Sequence, residues 1–200
     1  MGVDDVNDIL AVLRASGALK EGHFLLSSGR HSDRYVEKFD LLRQPEATSQ
    51  VCTLIADRFR DRGVDVVAGP TTGGVILAFE VARQLGVAAA YAERASGSGT
   101  AREFRRGTRF AQGARILVVD DILTTGGSVR ETLQALNRQP VEVVGVAVLV
   151  DRSSEGIDLG VPLHSLATMD IATWEPETCP LCARGIPLTR PGTTPGAAKP

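Results

Sequence analysis

The segment Ile116-Leu-Val-Val-Asp-Asp-Ile-Leu-Thr-Thr-Gly-Gly-Ser-Val129 is the strongest indicator of how this chain folds. Its leading apolar residues predict a buried strand, and the glycines and serine after the acidic pair favour the start of a helix. A glycine-rich turn at a helix N-terminus points backbone N–H groups and the positive end of the helix dipole at a phosphate. Asp120 and Asp121 can accept hydrogen bonds from a sugar diol or hold a divalent cation. The segment therefore predicts a site for a phosphorylated ribose.

Hydroxyl side chains strengthen this prediction. Thr124, Thr125 and Ser128 add hydrogen-bond donors to the same turn. The pattern is neither a Walker A loop, which needs a lysine after its second glycine, nor the Gly-x-Gly-x-x-Gly turn of a Rossmann fold. The alternative is an ordinary strand–turn–helix connection with an acidic pair by chance. The fixed order of strand, acidic pair, hydroxyls and glycines disfavours that alternative.

Length and composition favour one soluble domain. The chain has 200 residues, of which 43% are hydrophobic, and this is enough for a substantial core. A net charge of −2 gives no reason to expect nucleic acid or an anionic membrane as a partner. The acidic N-terminus lacks the features of a signal peptide, and the apolar run at 143–150 is too short to cross a bilayer. We therefore expect a cytoplasmic protein.

Apolar periodicity predicts alternating helices and strands. Helices are expected at about 4–16, 45–62, 73–86 and 129–137, and strands at 64–68, 87–91, 116–119 and 141–150. This alternation predicts an α/β fold with a central, mostly parallel sheet flanked by helices, and a ligand at the carboxyl ends of the strands. Residues 93–107 have no apolar period, which predicts a mobile loop or ribbon. We expect residues 1–190 to form a single domain and residues 191–200 to be a disordered tail.

Several segments together resemble the orotate phosphoribosyltransferases of bacteria, a branch of the type I phosphoribosyltransferase family. They are Gly22-His-Phe-Leu-Leu-Ser-Ser-Gly-Arg-His-Ser-Asp-Arg-Tyr35, Ala68-Gly-Pro-Thr-Thr-Gly-Gly74, Ala92-Glu-Arg94, the segment 116–129 and Val150-Asp-Arg152. The segment 116–129 is typical of the whole type I family. The first and last segments narrow the resemblance to the orotate branch.

This resemblance implies a fold, a reaction and an assembly. The implied fold is the type I phosphoribosyltransferase fold, with a small N-terminal hood formed from about residues 1–40. The implied reaction transfers the phosphoribosyl group of 5-phospho-α-D-ribose 1-diphosphate (PRPP) to N1 of orotate, with Mg²⁺ as cofactor, in pyrimidine biosynthesis. The implied assembly is a homodimer with shared active sites.

The resemblance also implies the roles of individual residues. Asp120, Asp121 and Arg94 are the implied catalytic residues. The implied PRPP site consists of Arg94, Asp120, Asp121, Ile122, Leu123, Thr124, Thr125, Gly126, Gly127 and Ser128, with Thr71, Thr72 and Gly73 in the pyrophosphate turn. The implied orotate site consists of Thr124, Arg152, Ser28 and Gly29. Arg102, Arg105 and Arg106 are expected in a flexible loop that closes over the site and often belongs to the neighbouring subunit. No residue is implied as a direct metal ligand, because Mg²⁺ is held mainly by PRPP.

Each of these segments also has a simpler interpretation. Arg152 fits a planar carboxylate, but it can instead form a surface ion pair with Asp151 or Glu155. The glycine-rich run at 69–74 can be a plain turn between a strand and a helix, and the run at 27–30 a simple turn. The basic loop can be a solvated hairpin.

The chain also departs from the better-known members of the family. Those enzymes carry lysines and a histidine in the loop, a lysine in the pyrophosphate turn and a lysine before Ser-Gly-Arg. This chain has Ala95 after Arg94, Gly73 in the turn, Ser27 before Ser-Gly-Arg, and no lysine or histidine from 93 to 113. Arginine stays protonated at neutral pH and so cannot donate a proton to the leaving group. We therefore predict that arginines and Mg²⁺ supply the positive charge opposite pyrophosphate.

Two other functions use the same features. A phosphoribosyltransferase for a purine or another base would share the PRPP site, although Arg152 and the run at 27–30 favour an acidic pyrimidine. A PRPP-sensing regulator would need a basic face or an added nucleic-acid-binding domain, which the negative net charge and short N-terminal extension do not favour.

Cys179 and Cys182, spaced Cys-x-x-Cys, invite a zinc or redox interpretation. Zinc usually takes four ligands, and the remaining candidates, Cys52 and the histidines at 23, 31 and 164, do not form a second ligand pair in the sequence. A redox pair is expected at the start of a helix after a strand, not in a proline-rich tail. The sequence thus favours a structural turn in the tail.

Overall fold

The computed structural model of the chain describes residues 3–96, 99–153 and 156–191. The helices are α1 (Val3–Ala15), α2 (Lys38–Leu42), α3 (Pro45–Phe59), α4 (Gly73–Leu85), α5 (Gly127–Leu136) and α6 (Pro180–Ala183), with a 3₁₀ turn at Pro176–Thr178. The strands are β1 (Leu19–Leu25), β2 (His31–Val36), β3 (Val66–Pro70), β4 (Ala88–Arg94), β5 (Arg102–Phe104), β6 (Ala114–Leu123), β7 (Val141–Asp151), β8 (Leu163–Thr168) and β9 (Thr173–Trp174). The helices predicted from the sequence are confirmed as α1, α3, α4 and α5.

The predicted central sheet is confirmed. Across the described ranges it contains six strands in the order β5-β4-β3-β6-β7-β8. All neighbours in it pair in parallel except β5, which is antiparallel to β4. Along β6, Leu117 and Val119 pack on one face with α3 and α4, whereas Ile116 and Val118 pack on the other face with α5. Both faces are therefore covered by helices, which explains why β6 and β7 have nearly continuous apolar sequences.

The carboxyl ends of β3 and β6 bring two turns to the same edge of the sheet. The first turn precedes α4, and the second precedes α5. At the first turn, a Cβ on Gly69 would lie 2.1 Å from the carbonyl oxygen of Gly74, so only glycine permits this backbone approach. At the second turn, Gly126 is the N-cap of α5 and has a φ of 74°, in the left-handed region. The glycines thus shape both edges of the predicted ligand site.

A smaller antiparallel sheet forms the hood over this edge. Its order is β1-β2-β9, and His31 of β2 pairs with Trp174 of β9. Its third strand therefore comes from far along the chain, beyond the predicted hood range of 1–40. No helix among the described residues is both long enough and apolar enough to span a bilayer.

Two further predictions concern less regular segments. Within the segment 93–107, β5 pairs with the end of β4 as a two-stranded ribbon, and residues 97–98 fall outside the described ranges. In the tail predicted to be disordered at 191–200, every residue after Pro191 lies outside the described residues, so this stays a prediction.

Candidate active site

Asp120 and Asp121 lie side by side near the end of β6, and both are buried. Asp120 Oδ1 accepts a hydrogen bond from the Asp121 backbone N–H at 2.9 Å. Asp120 Oδ2 accepts one from Ser128 Oγ at 2.7 Å. Ser128 is in the first turn of α5, so this bond fixes the acidic pair against the predicted phosphate turn.

A lysine that no sequence motif predicted faces the second carboxylate. Lys38 Nζ, at the start of α2, donates to Asp121 Oδ1 at 3.0 Å. Asp121 Oδ2 also lies 3.0 Å from Nζ, but it accepts no hydrogen bond of good geometry. The two residues are 83 positions apart, and no motif around Lys38 points to this contact. The ammonium balances part of the negative charge of the acidic pair.

The pKa of Asp120 is raised to about 6, first by burial and then by the neighbouring negative charge of Asp121. The hydrogen bond from Ser128 opposes this shift because it stabilises the carboxylate. An anionic Asp120 is therefore costly in the free protein, and a ligand that donates hydrogen bonds or brings positive charge relieves that cost.

The turn at 71–73, which is predicted to bind pyrophosphate, packs directly against the acidic pair. A Cβ on Gly73 would lie 1.9 Å from Asp121 Oδ2, so this contact leaves no room for any side chain. The turn itself carries no lysine, whereas Lys38 brings an ammonium group to Asp121 from the hood side. Gly73 and Lys38 thus both contact the Asp121 carboxylate, Gly73 from the turn and Lys38 from the hood side.

Two adjoining clefts open at this edge, with volumes of about 490 and 380 Å³. They share Thr124 and Arg152. The larger is also lined by Thr125, Ser153, Gly156, Ile157, Asp170, Ile171 and Thr173. The smaller is also lined by Tyr35, Val36, Glu37, Lys38, Phe39, Asp121 and Ile122. The predicted ribose and phosphate residues therefore adjoin the predicted base-binding arginine.

Arg152 carries a donor suited to a ligand. Its Nε is buried and has no hydrogen-bond partner, and burial lowers the pKa of the guanidinium. Asp151, one of the alternative ion-pair partners, instead accepts hydrogen bonds from Ser153 N and Oγ at 2.8 and 2.7 Å. Glu155, the other alternative, lies outside the described residues. An unpartnered buried donor at a cleft wall favours the ligand-binding interpretation of Arg152.

Other predicted residues lie away from these clefts. Ser28 and Gly29 are exposed at the tip of the β1–β2 hairpin and line neither cleft. Arg94 is exposed at the end of β4. Arg105 pairs with Glu103 in the ribbon, and Arg106 pairs with Glu93 at 3.0 Å.

Arg102, which was predicted to lie in a flexible loop, is part of the strand β5 in the structure. The Arg102 side chain is only 5% exposed. Its burial is tolerated because neighbouring groups accept hydrogen bonds from the guanidinium and balance its charge. Its Nη1 donates to Thr71 Oγ1 at 3.1 Å and to the Ala92 carbonyl at 3.0 Å. Its Nε donates to Glu131 Oε2 at 3.2 Å. Arg102 therefore ties the ribbon to the pyrophosphate turn and to α5.

Comparison with known proteins agrees with this geometry. Residues 40–165 match the family described as phosphoribosyl transferase domain. The orotate phosphoribosyltransferase of Caldicellulosiruptor bescii is 45% identical over 92% of this chain and 95% of its own length. That of Pelotomaculum thermopropionicum is 44% identical over 94% of this chain and 97% of its own. The crystal structure of orotate phosphoribosyltransferase from Aeropyrum pernix superposes with a TM-score of 0.69 at 32% identity, covering 80% of this chain and 93% of that one. By sequence over nearly its whole length, and by fold, the chain belongs to the orotate phosphoribosyltransferase family.

Proposed function

We propose that this chain transfers the phosphoribosyl group of PRPP to N1 of orotate, giving orotidine 5′-monophosphate and pyrophosphate. This proposal rests on one observation: two subsites of different chemistry lie next to each other. A buried acidic pair bonded to the phosphate turn adjoins a cleft wall with an unpartnered arginine. A phosphorylated ribose fits the first subsite, and an acidic planar base fits the second.

Each chemical group of PRPP and orotate matches a different part of the site. The 5′-phosphate faces residues 124–128, where the N-terminus of α5 and the hydroxyls supply donors. The ribose hydroxyls donate to Asp120 and Asp121, and pyrophosphate faces the turn at 71–73. The orotate carboxylate accepts from Arg152, because a guanidinium fork matches two carboxylate oxygens. Bond cleavage builds positive charge on the ribose, so the site acts by positioning both reactants and stabilising the departing negative charge.

The residues present also fit Mg²⁺. Carboxylate oxygens are the ligands this ion prefers, and Asp121 Oδ2 is buried without a hydrogen bond of good geometry, with the Lys38 ammonium 3.0 Å away. Asp120 and Asp121 would hold the ion together with oxygens of PRPP. Bound there, Mg²⁺ supplies positive charge opposite the leaving pyrophosphate.

The test follows the absorbance of orotate in the presence of PRPP and Mg²⁺. We expect the wild-type chain to consume orotate, and Arg152→Gln to raise the KM for orotate at least about tenfold while leaving the KM for PRPP nearly unchanged. Arg115→Lys is a matched control, because Arg115 pairs with Glu142 near the opposite end of β6. Consumption of adenine, guanine or hypoxanthine instead of orotate would contradict the assignment of the base.

We further propose that two chains pair through the exposed face of α4. Among the described residues, Ile76 and Phe79 are large apolar side chains left 36% and 65% exposed. With Val75, Leu42 and Pro45 they line a mainly apolar groove of about 410 Å³. Exposed apolar surface of this kind is typical of protein–protein interfaces. Because α4 begins at the pyrophosphate turn, a partner on this face would lie close to the site.

A further inference from the structure

A second cluster of reactive side chains lies in the hood, and it includes no residue that lines the two clefts. His23 is in β1, His31 is in β2, Cys179 is the N-cap of α6, and Cys182 is within α6. One ligand atom from each lies within 4.8 Å of every other. The structure therefore supplies the second ligand pair that the sequence did not reveal.

We propose that these four residues bind one zinc ion as a structural His₂Cys₂ site, which fastens the C-terminal segment to the hood. Four nitrogen and sulfur ligands are typical of closed structural zinc sites, whereas catalytic sites keep a position for water. Thiolate sulfur also favours zinc over magnesium or calcium.

The distances fit a tetrahedral ion. Zinc–ligand bonds of usual length place tetrahedral nitrogen ligands about 3.3 Å apart and a nitrogen and a sulfur about 3.6 Å apart. Here His23 Nε2 lies 3.0 Å from His31 Nδ1. The sulfur atom of Cys179 lies 3.4 Å from His23 Nε2, and that of Cys182 lies 3.7 Å from it. The Cys182 sulfur lies 3.3 Å from His31 Nδ1. These four distances each lie within a few tenths of an ångström of the tetrahedral values, and the remaining pairs of ligand atoms lie within 4.8 Å of each other.

The hydrogen bonding of His23 leaves the correct nitrogen free for a metal. His23 Nδ1 lies 2.8 Å from the carbonyl oxygen of Ile186, which can only accept, so Nδ1 carries the proton. Nε2 then presents its lone pair to the cluster. A carbonyl partner on the other ring nitrogen is the usual way in which proteins orient a metal-binding histidine.

Three of the four proposed ligands are buried, and the fourth reaches the solvent. His23, His31 and Cys179 are each at most 5% exposed, whereas Cys182 is exposed. The chain's three cysteines all lie among the described residues and are free thiols. Two thiols would therefore release two protons to the solvent when zinc binds.

The location indicates what the ion does. The four ligands join two hood strands to the short helix α6. Arg30, next to His31, donates to the Thr173 carbonyl at 2.9 Å and pairs with Glu175. Thr173 lines the larger cleft. A zinc ion here would thus hold in place a segment that contributes to the active-site wall, and this last consequence rests on the proposed function.

The first test is the metal content of the full chain. We expect about one zinc per chain after expression in zinc-supplemented medium and gel filtration. After chelation, we expect Co²⁺ to bind in the same ratio, with the visible bands of tetrahedral cobalt and thiolate-to-cobalt charge transfer in the near ultraviolet. We also expect zinc removal to lower the Tm by roughly 5 °C or more.

Single-residue variants test which side chains bind the ion. Cys182→Ser, at an exposed position, and His31→Gln should reduce the bound metal to less than about a tenth of the wild-type content. Cys52→Ala and His164→Gln are the matched controls and should retain it, because neither residue belongs to the cluster. These readouts need no substrate, so they remain informative if the orotate assay fails.

Two results would overturn the proposal. One is a folded wild-type chain with free thiols that takes up neither zinc nor cobalt in stoichiometric amount. The other is a Cys179–Cys182 disulfide in protein trapped with a thiol reagent directly on lysis.

Discussion

Two neighbouring carboxylates buried near the end of a strand are costly for the free protein, and this cost indicates that they are retained for function. Asp120 has a raised pKa, and Asp121 is stabilised by the ammonium of Lys38 and by the backbone N–H of Ile122. The sequence could reveal the acidic pair and Ser128 because they lie within one short segment. Lys38 could not be found in the same way, because its contact with Asp121 depends on tertiary structure.

The first prediction concerns Asp120→Asn. Because the folded pKa of Asp120 is raised to about 6, its contribution to stability is fully present below the unfolded value and is lost as pH rises through about 6. The variant should therefore be more stable than wild type at about pH 8, by up to about 3 kcal/mol, and nearly equal to it at about pH 4. Its activity should fall at least about 100-fold.

Thermal unfolding at both pH values measures this difference, with PRPP and Mg²⁺ absent. Asp121 and Lys38 face Asp120 and stay unchanged in the variant, so they affect both proteins. Asp57→Asn serves as control, because Asp57 is exposed and, within the described part of the chain, its carboxylate pairs with Arg60. Equal stability of wild type and Asp120→Asn at the higher pH would show that the buried charge carries no cost.

The second prediction concerns Gly73→Ala. The added methyl group would meet Asp121 Oδ2 at 1.9 Å, so either the turn or the carboxylate must move. We expect a loss of at least about 1 kcal/mol of stability and a roughly tenfold or greater fall in kcat/KM for PRPP. Denaturant unfolding and initial rates measure the two effects. Gly99→Ala controls for stability, since a Cβ there meets no atom within 4 Å. Unchanged stability and kinetics would show that the contact between turn and acidic pair is loose.

At the scale of elements, the long helices and the sheet strands β3, β4, β6 and β7 followed from apolar periodicity, but the ribbon did not. β5 is only three residues long and contains one apolar residue, so its sequence has no measurable period. The basic composition of residues 93–107 predicted a loop that closes over the site, with a solvated hairpin as the alternative. Arg102 is buried instead, because Glu131 and Thr71 supply partners that only the folded chain brings near.

The third prediction separates the arginines of the ribbon. Arg102→Gln removes one partner of a buried ion pair, so we expect a loss of about 3 kcal/mol in stability. Arg105→Gln and Arg106→Gln remove exposed ion pairs and should each cost less than about 1 kcal/mol. Urea unfolding of the three variants provides the comparison. The interpretation fails if Arg102→Gln is as stable as the two other variants.

At the scale of the whole molecule, the hood combines residues from both ends of the chain. β9 and α6 join β1 and β2, so the histidine–cysteine cluster depends on contacts between residues up to 159 positions apart. Spacing in the sequence reveals ligand pairs within one segment. Cys179 and Cys182 were therefore recognisable as a pair, whereas His23 and His31 were only separate candidates. The fold class followed from local patterns, but the composition of the hood required the tertiary structure.

The last prediction concerns active sites shared between subunits. Arg94 is exposed and outside both clefts, which is expected if it serves the site of a neighbouring chain. Arg94→Ala and the double variant Asp120→Asn, Asp121→Asn should each be nearly inactive. After subunit exchange at equal concentrations, the mixture should regain about one quarter of wild-type activity. Half of the dimers are then mixed, and each mixed dimer contains one intact site.

Phe79→Asp provides the control for this complementation, because a charge on the exposed face of α4 should prevent pairing. Chains carrying it should sediment as monomers, and adding it to both inactive variants should abolish the recovery. Native mass spectrometry must show mixed dimers in the sample that recovers activity. Mixed dimers without recovered activity would mean that Arg94 acts within its own subunit. In that case the ribbon would have to fold back over the clefts of the same chain to bring the arginine to pyrophosphate.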